Sequence, residues 1–558
     1  MKLFWKYRVP ILLATIFLLG TVIRFAGLGS NPIGLVADEA ENGYDAYSLI
    51  KTGKDQWGAP WPVTSLRGFG DYRLPAYTYL SIPSVAIFGL TPFAVRFPSA
   101  LFGSLSIIAI FLLAKELFKG RTDLALLSAF FLAISPWHIG LSRVAIEQAV
   151  SVCVITTGLL TLLIGSRRPQ WIVVSGIVFG LSLFVYRPNI VLVPFLTVSI
   201  VLLYRKSFYP FWKYLAAGCI SLLFVSSPIL FSLDTSAFQA RVNQTNITND
   251  KGIIDLVNEK RGACLRVLPD ALCRVVFTKY SAFGGAFVSN YLHHFSPDLL
   301  SMTGTETQYS VLPSRGLLYL LDYPLLLLAV VAVVYEWTPA GIFLLGFLLF
   351  SAVPDSMTSA GHYGRYFISF PVWPLLLSFG LGWTLSRVTR GKAFLVILIG
   401  IYALAASNFL IEYWTFFPYR YSVYTHFGYE ALTHDIVRSV GKYDRIILSS
   451  RANDSKQYIY YLFYTAYDPA AFQSGVGVEK VQEPNSWVRV RKIGHIEFLP
   501  ILPPYPDISR EHNLLIGDPS EFTAKDLHIS EQVVIPVEFT VKDKAGNILF
   551  EGVDSGKL

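Results

Sequence analysis

The sequence predicts a polytopic α-helical membrane protein, and three observations lead to that prediction. Of the 558 residues, 53% are hydrophobic and only 15% are charged, and the mean hydropathy is +0.48. Soluble domains of this size rarely reach such values. Apolar runs of about 15–25 residues recur along the chain, and about 20 helical residues cross a bilayer core. Tryptophan and tyrosine flank many of these runs, as interfacial anchors do.

We predict about eleven transmembrane helices, and the gaps between them set the orientation. Basic clusters such as Arg167–Arg168 and Arg387–Lys392 lie in short gaps, which places those gaps in the cytoplasm. The N-terminus is then cytoplasmic and the C-terminus extracytoplasmic in a multi-pass protein of the cell membrane. The clusters never form one dense patch, which argues against a nucleic-acid partner. The predicted spans are 10–27, 93–117, 123–136, 149–165, 170–186, 190–204, 214–232, 317–335, 339–353, 366–386 and 393–413.

The apolar stretch 74–90 is predicted to lie in the outer interface rather than to cross, because a crossing would move Lys119 and Arg121 to the outer face. This topology leaves two long outer loops, 28–92 and 233–316, within a transmembrane domain of residues 1–413.

The tail, residues 414–558, is predicted to form a small extracytoplasmic α/β domain. The stretches "RIILSS" and "HNLLIG" are typical of short buried strands, and "YIYYLFYTAY" is typical of a helix. The stretch "VEFTVKDKAGNILFEGV" predicts a hairpin that turns at residues 545–547.

Two of the four cysteines, Cys264 and Cys273, lie in the second outer loop. Such a pair can oxidise outside the cytoplasm, but sequence spacing does not establish the geometry. A disulfide and two free thiols both remain open from the sequence.

The stretch "LVADEAENGYDAYSL" places Asp38 and Glu39 directly after the first span. One interpretation is a solvated exit loop, in which acidic residues have no partners. The other is a site for a charged lipid whose phosphate lies at the membrane surface. The longer stretch "NPIGLVADEAENGYDAYSLIKTGKDQWG" predicts a short helix with an apolar face of Ala40, Tyr44, Tyr47, Leu49 and Ile50.

Two further groups of charged residues favour the second interpretation. Asp71 and Arg73 stand directly before the interfacial helix. Arg143 and Glu147 lie at membrane depth, where ionisable groups are costly and usually functional. Their spacing of four residues also allows a purely structural pair on one helix face.

The stretch "AGHYGRYFISFPVWP" contains Arg365, followed by Tyr366, at the mouth of the tenth span. Arginine is suited to bidentate phosphate binding. The structural alternative is an interfacial anchor that extends its head to water.

Together these stretches resemble the GT-C glycosyltransferases of the protein O-mannosyltransferase and aminoarabinose-transferase (ArnT) type. The resemblance runs from Thr21 to about Ser386. It rests on "ADEAENGYDA", "GDYRLPAYTYL", "FAVRFPSALFGSLSIIAIFLLAKELF", "LAISPWHIGLSRVAIEQ" and "GRYFISFPVWP" in this order. The resemblance implies a GT-C helix bundle and a transferase that takes a sugar from a polyprenyl-phosphate donor. The WWD motif of related oligosaccharyltransferases does not occur, which argues against that branch.

The same resemblance implies roles for individual residues. Asp38 matches the catalytic acid/base and Glu39 its acidic companion. Arg73 takes the place of the cation that contacts the donor phosphate. Glu147 stands at a second acidic position where relatives often carry Asp, and Arg365 with Tyr366 matches a second phosphate contact. With Asp71 and Arg143, these are the predicted site residues.

The chemistry expected of such residues is a single displacement. A carboxylate removes the proton of a hydroxyl acceptor, and cations stabilise the leaving phosphate. One displacement inverts the anomeric carbon. We expect no cofactor and no metal, because the adjacent His293 and His294 are a weak metal signal. The acceptor is a protein, glycan or lipid. The alternative functions are a lipid-linked glycan transporter or flippase, and an O-antigen-type ligase.

Overall fold

The computed structural model describes residues 2–69, 72–235, 239, 246–303, 312, 315–358, 363–420, 422, 424–451, 456–482, 488–501, 512–522 and 536–557. The chain folds into two compact units. The first unit comprises Met1–Arg24, Ala100–Ser142 and Glu147–Asn408. The second comprises Phe25–Ser99, Arg143–Ile146 and Phe409–Leu558.

The prediction of a polytopic helical membrane protein is confirmed. Within the described residues, eleven apolar helices correspond to the eleven predicted spans. They are Lys2–Phe25, Pro92–Leu117, Thr122–Ile134, Gln148–Gly165, Gln170–Val185, Asn189–Leu203, Trp212–Phe231, Asp322–Glu336, Pro339–Ser351, Val372–Leu385 and Gly391–Ile411. In the part of the chain that the structure describes, six helical runs are long and apolar enough to cross a membrane by themselves. These are Arg8–Phe25, Pro92–Leu117, Gln148–Gly165, Arg205–Phe231, Pro339–Ser356 and Gly391–Arg420.

The tenth helix begins later than the sequence predicts. Residues Tyr363–Ser369 form a 3₁₀ helix, and the α-helix starts at Val372 rather than at residue 366. Pro371 immediately precedes this start. Proline is common in the first turn of a helix, because a backbone N–H at that position has no hydrogen-bond acceptor within the helix and its loss costs nothing.

The described residues of the second long loop, which belongs to the first unit, are largely helical. Its α-helices are Lys251–Cys264, Asp270–Val276 and Lys279–His293. A disulfide joins Cys264 to Cys273, which resolves the alternative left open by the sequence. The remaining short helical segments of this unit are Pro136–Leu141, Arg205–Phe208, Tyr209–Phe211, Ile247–Asn249, Asp298–Met302 and Val353–Ser356.

The second unit combines the first long loop with the tail. The loop contributes the helices Ala37–Thr52 and Ala76–Phe88, and a two-stranded hairpin of β1 (Leu66–Arg67) and β2 (Tyr72–Arg73). The second of these helices lies where the sequence predicts an interfacial helix. The other helical segments are Glu412–Phe416, Phe417–Arg420, Tyr429–Ser439, Tyr458–Tyr464, Pro469–Ser474, Pro519–Glu521 and Ser555–Lys557.

The described residues of the tail form a mixed sheet of seven strands. The strands are β3 (Arg445–Ser449), β4 (Val478–Gln482), β5 (Val488–Ile493), β6 (Ile496–Leu499), β7 (Asn513–Gly517), β8 (Val537–Lys542) and β9 (Ile548–Asp554). The spatial order is β4-β5-β6-β3-β7-β9-β8, and β3 runs parallel to both of its neighbours. The predicted strands, the predicted hairpin and the helix at "YIYYLFYTAY" are all present. Buried Ile447, Ile501, Leu515, Phe522 and Val553 form a hydrophobic core cluster in this part of the second unit.

Candidate active site

The helix Ala37–Thr52 carries the acidic stretch, with Asp38 and Glu39 in its first turn. Carboxylates are favourable at this position because the helix N-terminus carries a partial positive charge. The predicted apolar face is only partly correct, since Ile50 is exposed. The carboxyl side chains of Glu39, Glu41 and Asp45 are buried instead. Their burial requires partners, and the structure supplies them.

Glu39 is fixed by a buried ion pair with Arg96. The Arg96 Nε lies 2.8 Å from Glu39 Oε1, and Nη2 lies 3.0 Å from Oε2. The backbone N–H groups of Val36 and Ala145 also donate to this carboxylate, at 3.1 and 2.8 Å. Both oxygens are therefore occupied, and the side chain is only 1% exposed. These contacts make Glu39 a structural anchor for the helix N-terminus, whereas the sequence resemblance assigns it to catalysis.

Arg96 also binds the backbone of the loop that precedes this helix. It donates to the carbonyl oxygens of Leu28, Pro32 and Gly34 at 3.3, 2.8 and 2.7 Å. One guanidinium thus connects the turn after the first apolar helix to the helix that carries Asp38. Arginine suits this role because its five donors lie in one rigid plane.

Asp38 is half-buried and lies near two basic side chains. It interacts electrostatically with Arg73 and with His426. Burial lowers the pKa of His426 to about 4, helped by Lys456, whereas Asp38 and Glu39 oppose this shift. The imidazole is therefore neutral at neutral pH and adds no positive charge beside Asp38. Its Nδ1 lies 2.6 Å from the hydroxyl of Tyr460.

Arg73 is held by the helix itself. Its Nη1 donates to Asn42 Oδ1 at 2.6 Å, and its Nη2 forms an ion pair with Asp45. Its Nε lies 3.5 Å from Glu41 Oε2. Two carboxylates therefore compensate the charge of Arg73, to which the resemblance assigns a contact with the donor phosphate.

Asp45 is buried beneath Arg73. Burial raises the pKa of its carboxyl to about 6, and Asp55 adds to this, although Arg73 and the backbone N–H of Gln56 lower it. That N–H donates to Asp45 Oδ1 at 2.8 Å. The Gln56 side chain in turn donates to Glu41 Oε1 at 3.1 Å. Residues 41, 45 and 73 thus form one connected charged network.

Arg143 is fully buried and packs within the second unit. It donates to the carbonyl oxygens of Ala26 and Asn31 at 2.7 and 2.8 Å. Its guanidinium lies 4.7 Å from the ring of Trp414 and 5.5 Å from that of Tyr413. These contacts suit a structural cation–π anchor more than a substrate ligand.

The structural alternative for Arg143 and Glu147, a pair on one helix face, does not apply. The helix begins at Gln148, and residues 142–147 are turns and bends. Glu147 lies in the first unit, where it interacts electrostatically with Tyr186. Arg365 also acts on Tyr186, so the structure places two of the predicted site residues around one tyrosine.

Arg365 stands on the 3₁₀ helix and keeps 22% of its side chain exposed. Its Nη1 lies 3.8 Å from Asp355 Oδ1, and the other oxygen of Asp355 lies 2.9 Å from His294 Nε2. The neighbouring Tyr366 is fully buried, with its ring 4.6 Å from that of His294. Within the described part of the chain, the Tyr366 hydroxyl has no hydrogen-bond partner.

Asp71, the remaining predicted site residue, lies outside the described residues. His294 is occupied by Asp355 and by the carbonyl of Asn290, at 2.6 Å from Nδ1. No group of three or more His, Cys, Asp or Glu side chains in the described ranges could hold a metal ion.

Sequence reasoning missed Arg96, His426 and Asp355. Arg96 stands inside a predicted span, where its charge was itself a signal, because an ionisable residue at membrane depth requires a partner. His426 and Asp355 are far from their partners in sequence, and no local pattern indicates those contacts.

Comparison with known proteins supports the fold. A family model described as dolichyl-phosphate-mannose-protein mannosyltransferase matches residues 73–231. No curated protein matches the sequence. The structure of ArnT from Cupriavidus metallidurans bound to undecaprenyl phosphate is similar, with a TM-score of 0.53 and 14% identity. The similarity covers 98% of this chain and 98% of ArnT.

A second similar structure is the oligosaccharyltransferase AglB from Archaeoglobus fulgidus, in complex with an inhibitory peptide and a dolichol-phosphate. The TM-score is 0.51 at 15% identity, over 83% of this chain and 64% of AglB. This chain thus spans less than two thirds of the length of AglB. At these identities the similarity shows the fold. The chain is a multi-pass membrane protein with the GT-C fold of these glycosyltransferases, and the resemblance seen in the sequence is confirmed at that level.

Proposed function

We propose that this protein transfers a sugar from a polyprenyl-phosphate carrier to a hydroxyl acceptor at the extracytoplasmic membrane surface. Asp38 carries this proposal, because it is half-buried at a helix N-terminus that the Glu39–Arg96 ion pair holds in place. The match of residues 73–231 to a mannosyltransferase family model supports the same class of reaction. So does the fold shared with ArnT, whose structure was determined with undecaprenyl phosphate.

In the proposed reaction Asp38 is the general base. It takes the proton of the acceptor hydroxyl as the hydroxyl oxygen attacks the anomeric carbon. The bond between that carbon and the carrier phosphate breaks, and the phosphate leaves with the bonding electrons. A single displacement of this kind inverts the anomeric configuration.

Two cations stand in the predicted phosphate-binding roles, and the structure distinguishes them. Arg365 is partly exposed and has one long contact to a carboxylate, at 3.8 Å. Arg73 is compensated by Glu41 and Asp45. We therefore assign the direct phosphate contact to Arg365. Arg73 orders the helix that presents Asp38 and interacts electrostatically with Asp38.

The test is sugar transfer from a radiolabelled polyprenyl-phosphate sugar by the full-length protein in detergent. Asp38→Asn keeps the size of the side chain but removes its basicity, and we expect a loss of about 10²–10⁴-fold in turnover. The matched control is Asp123→Asn, because Asp123 also lies in the first turn of a helix but is exposed. Near-normal turnover by a folded Asp38→Asn protein would contradict the mechanism. Absence of transfer by the wild-type protein from any polyprenyl-phosphate sugar would contradict the function.

A further inference from the structure

The second long loop contains a helical segment in which almost no residue is buried. Residues 251–293, here called the 251–293 segment, comprise the helices Lys251–Cys264, Asp270–Val276 and Lys279–His293. Against the described chain, the first and third helices have no buried residue, and the second has only Cys273. Helices that pack on a protein core normally bury one face.

Many of the exposed side chains of this segment are aliphatic. Val267 is 82% exposed and Val275 is 76% exposed. Burying one Val or Leu side chain is worth about 1.5–3 kcal/mol, so a cluster of them in water is strongly unfavourable. The other exposed apolar residues between 251 and 276 are Ile254, Leu256, Leu265, Leu268, Leu272 and Val276.

The third helix continues this apolar surface. Tyr280, Val288 and Leu292 are exposed and, with Gly284, are spaced four residues apart, so they share one helix face. Close to its C-terminal end, the hydroxyl of Tyr291 donates to the carbonyl of Leu349 at 3.0 Å.

That hydrogen bond places the end of the segment at the membrane domain. Leu349 lies two residues before the end of the apolar helix Pro339–Ser351. The amide of Asn290 also donates to the carbonyl of Thr358, at 3.3 Å, just beyond the same helix. The apolar stripe therefore starts beside the end of a membrane-embedded helix.

Basic residues accompany the apolar surface. Between residues 251 and 279 there are six basic and three acidic residues. Some of the charge is paired, since Arg274 lies 2.6 Å from Asp270. The basic residues are Lys251, Lys260, Arg261, Arg266, Arg274 and Lys279.

We propose that the 251–293 segment lies on the bilayer surface, with its aliphatic side chains at the boundary between headgroups and acyl chains and its basic residues near anionic headgroups. Interfacial helices combine these two features. The Cys264–Cys273 disulfide fixes the first helix to the second, so that both present their apolar residues together. Protein-binding surfaces are usually centred on Trp, Tyr and Arg, whereas Val and Leu dominate here.

The first test measures contact with lipid. Full-length Val275→Trp and Glu259→Trp proteins are reconstituted into nanodiscs that contain lipids brominated on the acyl chains. Glu259 is the control because it is exposed and polar within the same segment. All variants share the 11 native tryptophans, so the added fluorescence is a difference from the parent. We expect brominated lipid to quench most of the fluorescence added at position 275 and little of that added at position 259.

The second test identifies what the surface touches and whether charge contributes. A photo-reactive phenylalanine analogue at position 275 should give lipid adducts in nanodiscs of phosphatidylcholine and phosphatidylglycerol. Joint Lys260→Gln and Arg266→Gln substitution should reduce quenching at position 275 where phosphatidylglycerol is present. Equal quenching at 275 and 259, or adducts with a second copy or another protein in place of lipid, would overturn the proposal.

Discussion

Glu39 and Arg96 form a two-bond ion pair that is almost completely buried, with N–O distances of 2.8 and 3.0 Å. Their positions differ by 57 residues, so the pair connects the helix that carries Asp38 to the start of the second apolar helix. Two residues that are adjacent in sequence thereby acquire different roles. Asp38 remains half-buried near Arg73 and the neutral His426, whereas Glu39 accepts hydrogen bonds at both of its oxygens.

The first prediction follows from this pair. Glu39→Gln and Arg96→Gln each leave one buried charge uncompensated, which typically costs about 3–5 kcal/mol of folding stability. We expect both variants to unfold at clearly lower temperature in detergent. The exposed pair Arg121–Asp123 is the control, since Arg121→Gln should cost no more than about 1 kcal/mol. If Glu39 acts in catalysis alone, Glu39→Gln will lose activity while unfolding at the wild-type temperature.

The second prediction concerns Arg365. Loss of a hydrogen bond to a charged group costs about 1.5–3 kcal/mol, so Arg365→Ala should raise the KM for the polyprenyl-phosphate donor by about 10–100-fold. Asp355→Asn should raise KM less, because Arg365 keeps its charge but loses the carboxylate that orients it.

The control for this prediction is Arg387→Gln. Arg387 is also partly exposed in the first unit, but it lies over the ring of Trp383 and pairs with Glu336. Its substitution should leave the KM for the donor unchanged. If Arg365 is only an interfacial anchor, Arg365→Ala will show the same KM as this control.

The third prediction concerns pH. The pKa of Asp45 is raised from 3.8 to about 6, so between these values the folded state holds a proton that the unfolded chain has lost. The contribution of Asp45 to the free energy of unfolding therefore falls as pH rises through this window. The pKa of His426 is lowered from 6.5 to about 4, so its contribution rises over nearly the same window.

Thermal unfolding in detergent between about pH 4 and 6.5 separates the two groups. Relative to the wild-type protein, Asp45→Asn should make stability rise more steeply with pH, and His426→Gln should make it rise less steeply or fall. The opposite signs make each variant a control for the other. Parallel curves for all three proteins would show that neither group is linked to folding in this way.

The sequence predicted the helices better than the site. In a long apolar run every residue contributes hydrophobicity to the pattern that predicts a span. The eleven spans and the predicted strands of the tail were therefore found with small errors at their ends. The late start at Val372 was missed because the mostly apolar residues 366–371, YFISFP, are continuous in sequence with the apolar run that follows.

Only part of the site was predicted from the sequence. Its acidic residues lie close together in the sequence, whereas the residues that they contact in the structure are distant in the sequence. The sequence identified Asp38 from its neighbours, but the stacking of Arg143 on Trp414 joins residues 271 positions apart. The hydrophobic periodicity of a sequence does not indicate a contact between residues so far apart. The role expected of Glu39 therefore depended on a resemblance, and that of Arg143 depended on its predicted membrane depth. Only the packed structure shows what occupies their polar atoms.

The last prediction tests orientation, on which the extracytoplasmic reaction depends. The positive-inside rule places Arg167 and Arg168 in the cytoplasm and the tail outside. Arg168 and Ser520 are both exposed, so a cysteine at either position can be labelled. In a protein with Cys153→Ala and Cys219→Ser, a membrane-impermeant maleimide added to intact cells should label Ser520→Cys and not Arg168→Cys. Permeabilised cells are the control and should label both. Labelling of position 168 from outside intact cells would show that the topology is the reverse of the predicted one. Asp38 would then face the cytoplasm, where the proposed outer-face transfer from a polyprenyl-phosphate sugar could not take place.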